Sequence, residues 1–365
     1  MDNDEVKDWI QLLLAPGIGE WRARVLVQRL GSPRAALMAS RKEVERIFGM
    51  GPKTWEGLSR QSEEKELGRQ VGLIEKHGVT VVSFKEEGYP KALLQTQEPP
   101  PVLFMRGRLL PDDELAVAVI GSRGPTVYGK QVAERFGEGL AQRGVTVVSG
   151  MARGIDACAH RGALKAGGRT IAVLGCGVDR VYPPEHKKLM EEIVAQGAVV
   201  SEFPMGAEPK AGHFPTRNRI IAGLSRGVLV VEAREDSGVF STVNWALEQG
   251  KDVFAVPGPI TSPVSKGPNR LIKQGACLVE SVEEVLEALK IAPSENGRVR
   301  AQEEARMDLT EPEKRLVGLL TEAPLHVDLI SERSGMAVKE VLGILLGLEI
   351  KGIVNQQAGK VFAIA

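Results

Sequence analysis

The sequence predicts an α/β protein. Its main body is a doubly wound, mostly parallel sheet, with an all-helical region before it and a small helix-plus-hairpin domain after it. Three observations predict this. Between about Val71 and Lys290, nine short apolar, β-branched runs alternate with glycine-punctuated stretches of helical spacing. Residues 1–68 carry helical patterns and no such runs. From Leu309 onward, three helical patterns are followed by two short apolar runs about a glycine turn. Near-continuous apolar strands alternating with helices imply a parallel sheet covered on both faces.

Taken in order, residues 1–68 contain two similar pieces, Pro16-Gly17-Ile18-Gly19-Glu20-Trp21 and Gly49-Met50-Gly51-Pro52-Lys53-Thr54-Trp55. Each is a Gly-x-Gly turn followed by a helical pattern. This resembles a SAM/helix-hairpin-helix-like domain, whose hairpin amides can hold a phosphate at the next helix's N-terminus. Small helical domains also serve purely as contact modules. A charged run, Gln61 to Arg69, leads into the sheet domain, residues 69–290. Its expected strands are Val79–Phe84, Leu103–Arg106, Val117–Ile120, Val145–Ser149, Thr170–Leu174, Ala198–Glu202, Val228–Glu232, Val253–Val256 and Cys277–Val279. Helices such as Lys130–Arg143 and Thr242–Gln249 lie between the later ones, so the sheet reads as Rossmann-like. Residues 291–308 are polar and aperiodic and read as a linker. In residues 309–365, the helices Glu313–Leu320, Val327–Ser334 and Val338–Glu349, then strands at Gly352–Val354 and Lys360–Ile364, follow the winged-helix plan. Its third helix is mostly apolar with few basic residues. That favours a protein-contact or dimer role over duplex readout.

Composition narrows the function. Balanced charge, 47 basic against 47 acidic residues, argues against a bulk polyanion-coating protein but leaves room for a local basic cleft. Aromatic residues are only 4% of the chain, so any base-stacking platform rests on few rings. The three cysteines, Cys158, Cys176 and Cys277, form no CxxC pattern, which points to a reducing cytosol and no zinc site. The beginning, MDNDEVKDW, lacks a signal-peptide core, and no apolar run is long enough to span a membrane.

In an open parallel sheet, the loops leaving the carboxyl ends of the strands carry the ligands. Five loops qualify. The one least explicable as scaffold runs from Ser201 to Arg226 and ends in His213-Phe214-Pro215-Thr216-Arg217-Asn218-Arg219. Thr216 or Asn218 is expected to cap the helix that follows. Arg217 and Arg219 at that end oppose the helix dipole unless an anion binds between them. Phe214 is placed to stack on a base or to tuck into the core. The first loop, Gly121-Ser122-Arg123-Gly124, offers close backbone approach and an arginine fork. It is a near miss to a P-loop: Gly129-Lys130 is followed by Gln131 rather than Ser or Thr, so the magnesium-binding hydroxyl is missing. The second, Ser149 to Asp156, offers tight turns at Gly150 and Gly154. Asp156, Cys158 and His160 there have no metal-binding spacing, so capping and hydrogen bonding are the expected roles. The third runs from Gly175 to Lys188, where Lys187 and Lys188 either extend a basic groove or form an exposed helix face. The fifth, Asp236 to Thr242, presents hydroxyls and amides at a helix start. No nucleophile elbow or activated cysteine is evident.

Six stretches together, GSRGPTVYG, SGMARGIDACAH, TIAVLGCGVDRVYPPEH, SEFPMG…HFPTRNRIIAGLS, VVEAREDSG and PGPITSPVSKGPNRLIKQGA, closely resemble the DNA-processing protein A (DprA/Smf) family of bacteria. The resemblance implies a cytoplasmic, non-enzymatic homodimer that needs no cofactor or metal. Such a protein binds single-stranded DNA without ATP and hands it to the RecA recombinase, including strand coated by single-stranded-DNA-binding protein, in natural transformation. It carries the strand pocket onto Ser122, Arg123, Arg153, Gly154, Lys187, Phe214, Arg217, Asn218, Arg219, Ser237 and Gly238. The family's usual Ser-Gly-Ser-Leu is Ser237-Gly238-Val239-Phe240 here, which removes the loop's second hydroxyl. Two rival readings remain. One is an enzyme of the nucleoside-monophosphate hydrolase kind, which needs a carboxylate from Glu202 or Glu232. The other is a pure adaptor acting through its flanking domains.

Overall fold

The computed structural model describes residues 2–60, 64–291, 310–320, 324–350, 354–357 and 359–364. The chain divides into two compact units, Met1–Ala292 and Pro293–Ala365.

The first unit opens with helices Asn3–Leu14, Glu20–Leu30, Pro33–Leu37, Arg41–Glu45, Pro52–Ser59 and Glu64–His77. Local capping explains their starts. Asp2 accepts from the Glu5 amide, Ser32 accepts from the Ala35 amide with Pro33 next in line, and Ser40 and Glu43 form a capping box. The helices bury Trp9, Leu12, Leu26 and Val27 in a core that runs on into Val81, Phe104 and Val199 of the sheet. The helical region and the sheet therefore share one hydrophobic interior.

The sheet has nine strands: β1 (Thr80–Ser83), β2 (Val102–Gly107), β3 (Ala116–Ile120), β4 (Thr146–Ser149), β5 (Thr170–Val173), β6 (Ala198–Ser201), β7 (Gly227–Val230), β8 (Asp252–Ala255) and β9 (Cys277–Leu278). Each expected strand is present. The spatial order is β1-β2-β6-β5-β4-β3-β7-β8-β9. Pairing is parallel from β6 to β9, and antiparallel where β2 joins β1 and β6. Alternate residues take opposite faces. Val117, Val119, Val147 and Leu229 pack with Phe136 and Leu140 of the helix Val127–Gln142. Ala118, Val148, Val228 and Val230 pack with Ile220, Ile221 and Leu224 of the helix His213–Leu224. Both faces are covered, which is why the strands read as continuous apolar runs.

Two local expectations need correction. The helix after β6 begins at His213, behind Gly212, with no side-chain cap. Thr216 and Asn218 therefore lie inside it. The Thr216 hydroxyl donates back to the Gly212 carbonyl, and the Asn218 amide oxygen accepts from Arg217. Pro215 sits in the first turn, where its missing N–H costs nothing, so it continues the helix rather than breaking it. The second unit gains an unexpected strand. Helices Glu311–Leu320, Val327–Ser334 and Val338–Ile350 accompany a sheet in which β10 (Leu325–His326) and β11 (Val354–Gln357) both pair with β12 (Val361–Ile364). Leu316, Ile330, Leu345 and Phe362 fill its core. Of the expected linker 291–308, Ile291 is buried against the sheet unit; the rest lies outside the described residues, as do Gly352 and Ile353.

Candidate nucleic-acid interface

The direction of winding reverses beside β3. From β3 the chain passes through Val127–Gln142 on one face to β4, and β7 is reached through His213–Leu224 on the other. A crevice opens at the carboxyl ends of strands at such a switch point. It holds a cleft of about 440 Å³. One wall is Gly121–Gly124 after β3, the middle is Phe214, Arg217 and Asn218, and the far wall is formed by Arg234, Ser237 and Gly238 after β7. A smaller concavity adjoins it, lined by Arg153 and Tyr182 and sharing Arg123, Phe214 and Arg217 with the cleft.

Phe214 is half-buried in the first turn of its helix. Its ring centroid lies 5.6 Å from that of Tyr182, and the exposed Arg123 guanidinium stands 5.4 Å from its centre. The result is a ring-and-cation ledge open to solvent. The loop that carries Arg123 is pinned twice. The Ser122 amide donates to the Glu232 carbonyl at 2.6 Å, and the Ser122 carbonyl accepts from the Ile155 amide at 3.1 Å. Gly154 makes the second contact possible. Its φ is +82°, and a Cβ there would stand 2.3 Å from the Ser122 carbonyl. Ser237 lines the far wall, and its hydroxyl accepts from the Val239 amide at the start of the helix Val239–Glu248.

Other expected residues sit differently. Arg217 is 4% exposed and lies under the floor. Its Nη1 donates to the Gly150 carbonyl at 2.9 Å and to the Val173 carbonyl, bracing the ends of β4 and β5. Burial brings this guanidinium down to about 10, with Asp156 pulling the other way and Arg123 adding to the fall, so it stays charged at neutral pH. Asp156, buried beside it, accepts from the Gly150 and Ala152 amides. Arg153 is exposed but ion-paired with Glu185. Lys187 opens the exposed start of the helix Lys187–Gln196, and lines neither concavity.

Arg219 is the clear departure from expectation. It is 6% exposed and points away from the cleft. Its guanidinium is consumed inside the protein: Nη1 donates to Glu202 at 2.6 Å, Nη2 to Glu20 at 2.9 Å, and Nε to the Glu98 carbonyl at 3.0 Å. Successive helical residues turn by about 100°, so Arg217 and Arg219 face opposite ways. Burial, with Glu202 as a hydrogen-bonding and charged neighbour, pushes the Glu20 carboxyl well above its ordinary value.

The residues that a catalytic reading would need are also engaged. Glu232 is buried and accepts from the Thr126 amide at 2.9 Å and the Thr126 hydroxyl at 2.6 Å, at the start of Val127–Gln142. Glu202 is the partner of Arg219. Gly129 and Lys130 lie within that same helix rather than in a phosphate-wrapping loop. His160 is buried against Thr170. Burial pushes the Cys176 thiol up to about 11. Among the described residues no three potential metal ligands gather.

Two residues of the site went unassigned in the sequence. Tyr182 supplies the second ring, and Arg234 adds an exposed cation to the far wall. Tyr182 lies in a loop already expected at the carboxyl edge and Arg234 just before another, but nothing in their local pattern shows that they turn toward Phe214 or the cleft.

The family model for DNA recombination-mediator protein A matches residues 80–290, and that for the DprA winged helix domain matches residues 300–360. The chain belongs to the DprA/Smf family. Protein Smf of Escherichia coli K12, a relative in this DprA/Smf family, is 44% identical over 296 residues, covering 79% of this chain and 78% of the relative. The crystal structure of DprA from Streptococcus pneumoniae superposes with a TM-score of 0.68 at 34% identity, covering 79% of this chain and 98% of that one. A structure of the Helicobacter pylori DprA, described for its single-stranded DNA binding mode, aligns with a TM-score of 0.52 at 31% identity, over 58% of this chain and 95% of that one.

Proposed function

We propose that this chain is a single-stranded-DNA-binding recombination mediator. It holds the strand at the switch-point cleft and passes it to the RecA recombinase, including from strand coated by single-stranded-DNA-binding protein, during natural transformation and recombination. The observation that carries this reading is the ledge of Phe214 between Tyr182 and Arg123 at the mouth of the cleft. A ring flanked by a cation and a second ring suits a base and its phosphate, with stacking worth about 1–3 kcal/mol per base. Arg123 meets phosphates directly, and Arg234 does so by exchanging its Asp236 partner. Arg217 acts from beneath, as a fixed buried charge that braces two loops. Ser122, Ser237 and Gly238 offer hydroxyls and backbone along the walls, and Arg153 reaches the strand by exchanging its Glu185 partner. Lys187 continues the basic surface beyond the cleft.

Non-enzymatic action is part of the proposal, since Glu202 and Glu232, the two carboxylates a base-releasing enzyme would use, are both bound to internal partners. The protein works in the cytoplasm as a homodimer. The test is nucleation of recombinase filaments on strand coated by single-stranded-DNA-binding protein. Wild type should shorten the lag, and Arg123→Ala with Phe214→Ala should not. Equal lags with and without wild-type protein would refute the mediator role.

A further inference from the structure

The strand-binding reading accounts for the loops at the sheet edge but not for the two Gly-x-Gly turns of the helical region. Each turn adjoins an exposed ring. Trp21 follows Gly17-Ile18-Gly19 and is 46% exposed; Phe48 precedes Gly49-Met50-Gly51 and is 94% exposed. The two rings belong to one patch, because the edge of the Trp21 ring packs over Gly49, where a Cβ would stand 2.9 Å from Cη2. In a chain with 4% aromatic residues, Phe48 lies almost wholly in water and nearly half of Trp21 with it, an exposure that their packing does not require.

The chemistry around the rings indicates the occupant. Arg46 and Lys53 are exposed on either side of Phe48 and Gly49, and Arg22, beside Trp21, is fixed by a 2.6 Å bond to the Gly17 carbonyl. The acid of the same turn, Glu20, is directed inward onto Arg219 at 2.9 Å. That contact turns this one acid inward; in the neighbouring helices Glu45, paired with Arg41, and Glu56 are exposed. The Glu20 contact also fixes the tip beside the helix His213–Leu224, whose first turn carries Phe214. Arg219 is five residues beyond Phe214, about 7.5 Å along the axis. Rings and cations together suit a polyanion with stacking bases more than an apolar protein surface; Phe214 and Arg219 lie about 140° apart around the helix, so a strand joining the two places passes round its start.

We propose that Trp21 and Phe48 form a second base-stacking site, which takes bases of the same single strand beyond the Phe214 ledge. This rests on the strand-binding reading of the cleft. The strand would then run from the switch point over the start of His213–Leu224 and onto the helical region, with Arg46 and Lys53 against its phosphates.

The test is fluorescence anisotropy on the full chain with oligo-dT of graded length, comparing wild type, Phe48→Ser and Trp21→Phe with Phe48→Ser. Phe48 is almost wholly in water, so its replacement leaves folding intact. Short oligonucleotides that fill only the cleft should bind all three alike. For longer ones, the affinity gained by wild type should fall about ten-fold in the variants. Tryptophan emission should be quenched by long but not short oligonucleotides in wild type and Phe48→Ser, and not in the variant lacking Trp21. Long-oligonucleotide affinity unchanged in both variants would overturn the second site while leaving the cleft standing. Failure of wild type to bind any length would overturn both.

Discussion

Replacing Arg219 with alanine should unfold the protein more readily without touching the cleft at the switch point. Arg219 lies between Glu202 and Glu20, and the Glu202 side chain is fully buried. Removing the guanidinium leaves that carboxylate in the interior without its counter-charge, and leaves the Glu98 and Thr216 carbonyls without their donor. Breaking a buried pair from one side costs about 3–5 kcal/mol. The sheet unit, Met1–Ala292, should melt with an entropy of roughly 0.6 kcal/mol/K at about 2.1 cal/mol/K per residue, so the loss corresponds to about 5–8 °C in Tm. The assay is thermal unfolding of Arg219→Ala and Arg123→Ala side by side, with affinity for a short oligo-dT that fills only the cleft measured well below both transitions. Arg219→Ala should melt early and bind nearly as wild type; Arg123→Ala should melt as wild type and bind weakly. Arg219→Ala with unchanged Tm and lost affinity would refute the assignment of Arg219 to the interior.

Other consequences follow from the same contacts. Glu20 has its carboxyl raised by burial and by Glu202, so the folded state binds that proton more tightly than the unfolded state. Its stabilising contribution is complete below the ordinary glutamate range and is lost as pH rises through the raised value; Glu20→Gln should flatten that part of the stability-against-pH curve. Gly154→Ala forces a Cβ against the Ser122 carbonyl at a left-handed φ. It should cost about 1–3 kcal/mol in urea unfolding and weaken oligonucleotide binding by displacing Arg123. With its thiol raised to about 11 by burial, Cys176 should resist alkylation in the native protein, whereas the exposed Cys277 should react; mass spectrometry before and after denaturation reads the order.

Much of the fold was legible because parallel strands buried on both faces leave a plain signal. Val145–Ser149 and Ala198–Glu202 read as strands from composition alone, and the glycine turns marked where loops would gather. The two-residue β10 carries too little pattern to be read, and it exists only through pairing with β12. At the site, the sequence supplied residue types but not directions. The loop read through to Arg219, with Thr216 or Asn218 as the cap, which set the helix start too late and put Arg217 and Arg219 together at its tip. With the helix starting at His213, the turn of about 100° per residue sends them to opposite sides, one beneath the cleft and one into the Glu202–Glu20 pair. Tyr182 meets Phe214 only through the tertiary fold.

The central claim, that the ledge at the switch point grips single-stranded DNA, is tested most directly by anisotropy of labelled oligo-dT across a range of salt concentrations, without nucleotide. Wild type is compared with Arg123→Ala and Phe214→Ala. Wild-type affinity should fall with rising salt; Arg123→Ala should bind less tightly, with a log–log salt slope shallower by about 0.7. Phe214→Ala should lose about 1–3 kcal/mol with the slope unchanged. Wild-type affinity and slope retained in both variants would contradict the account.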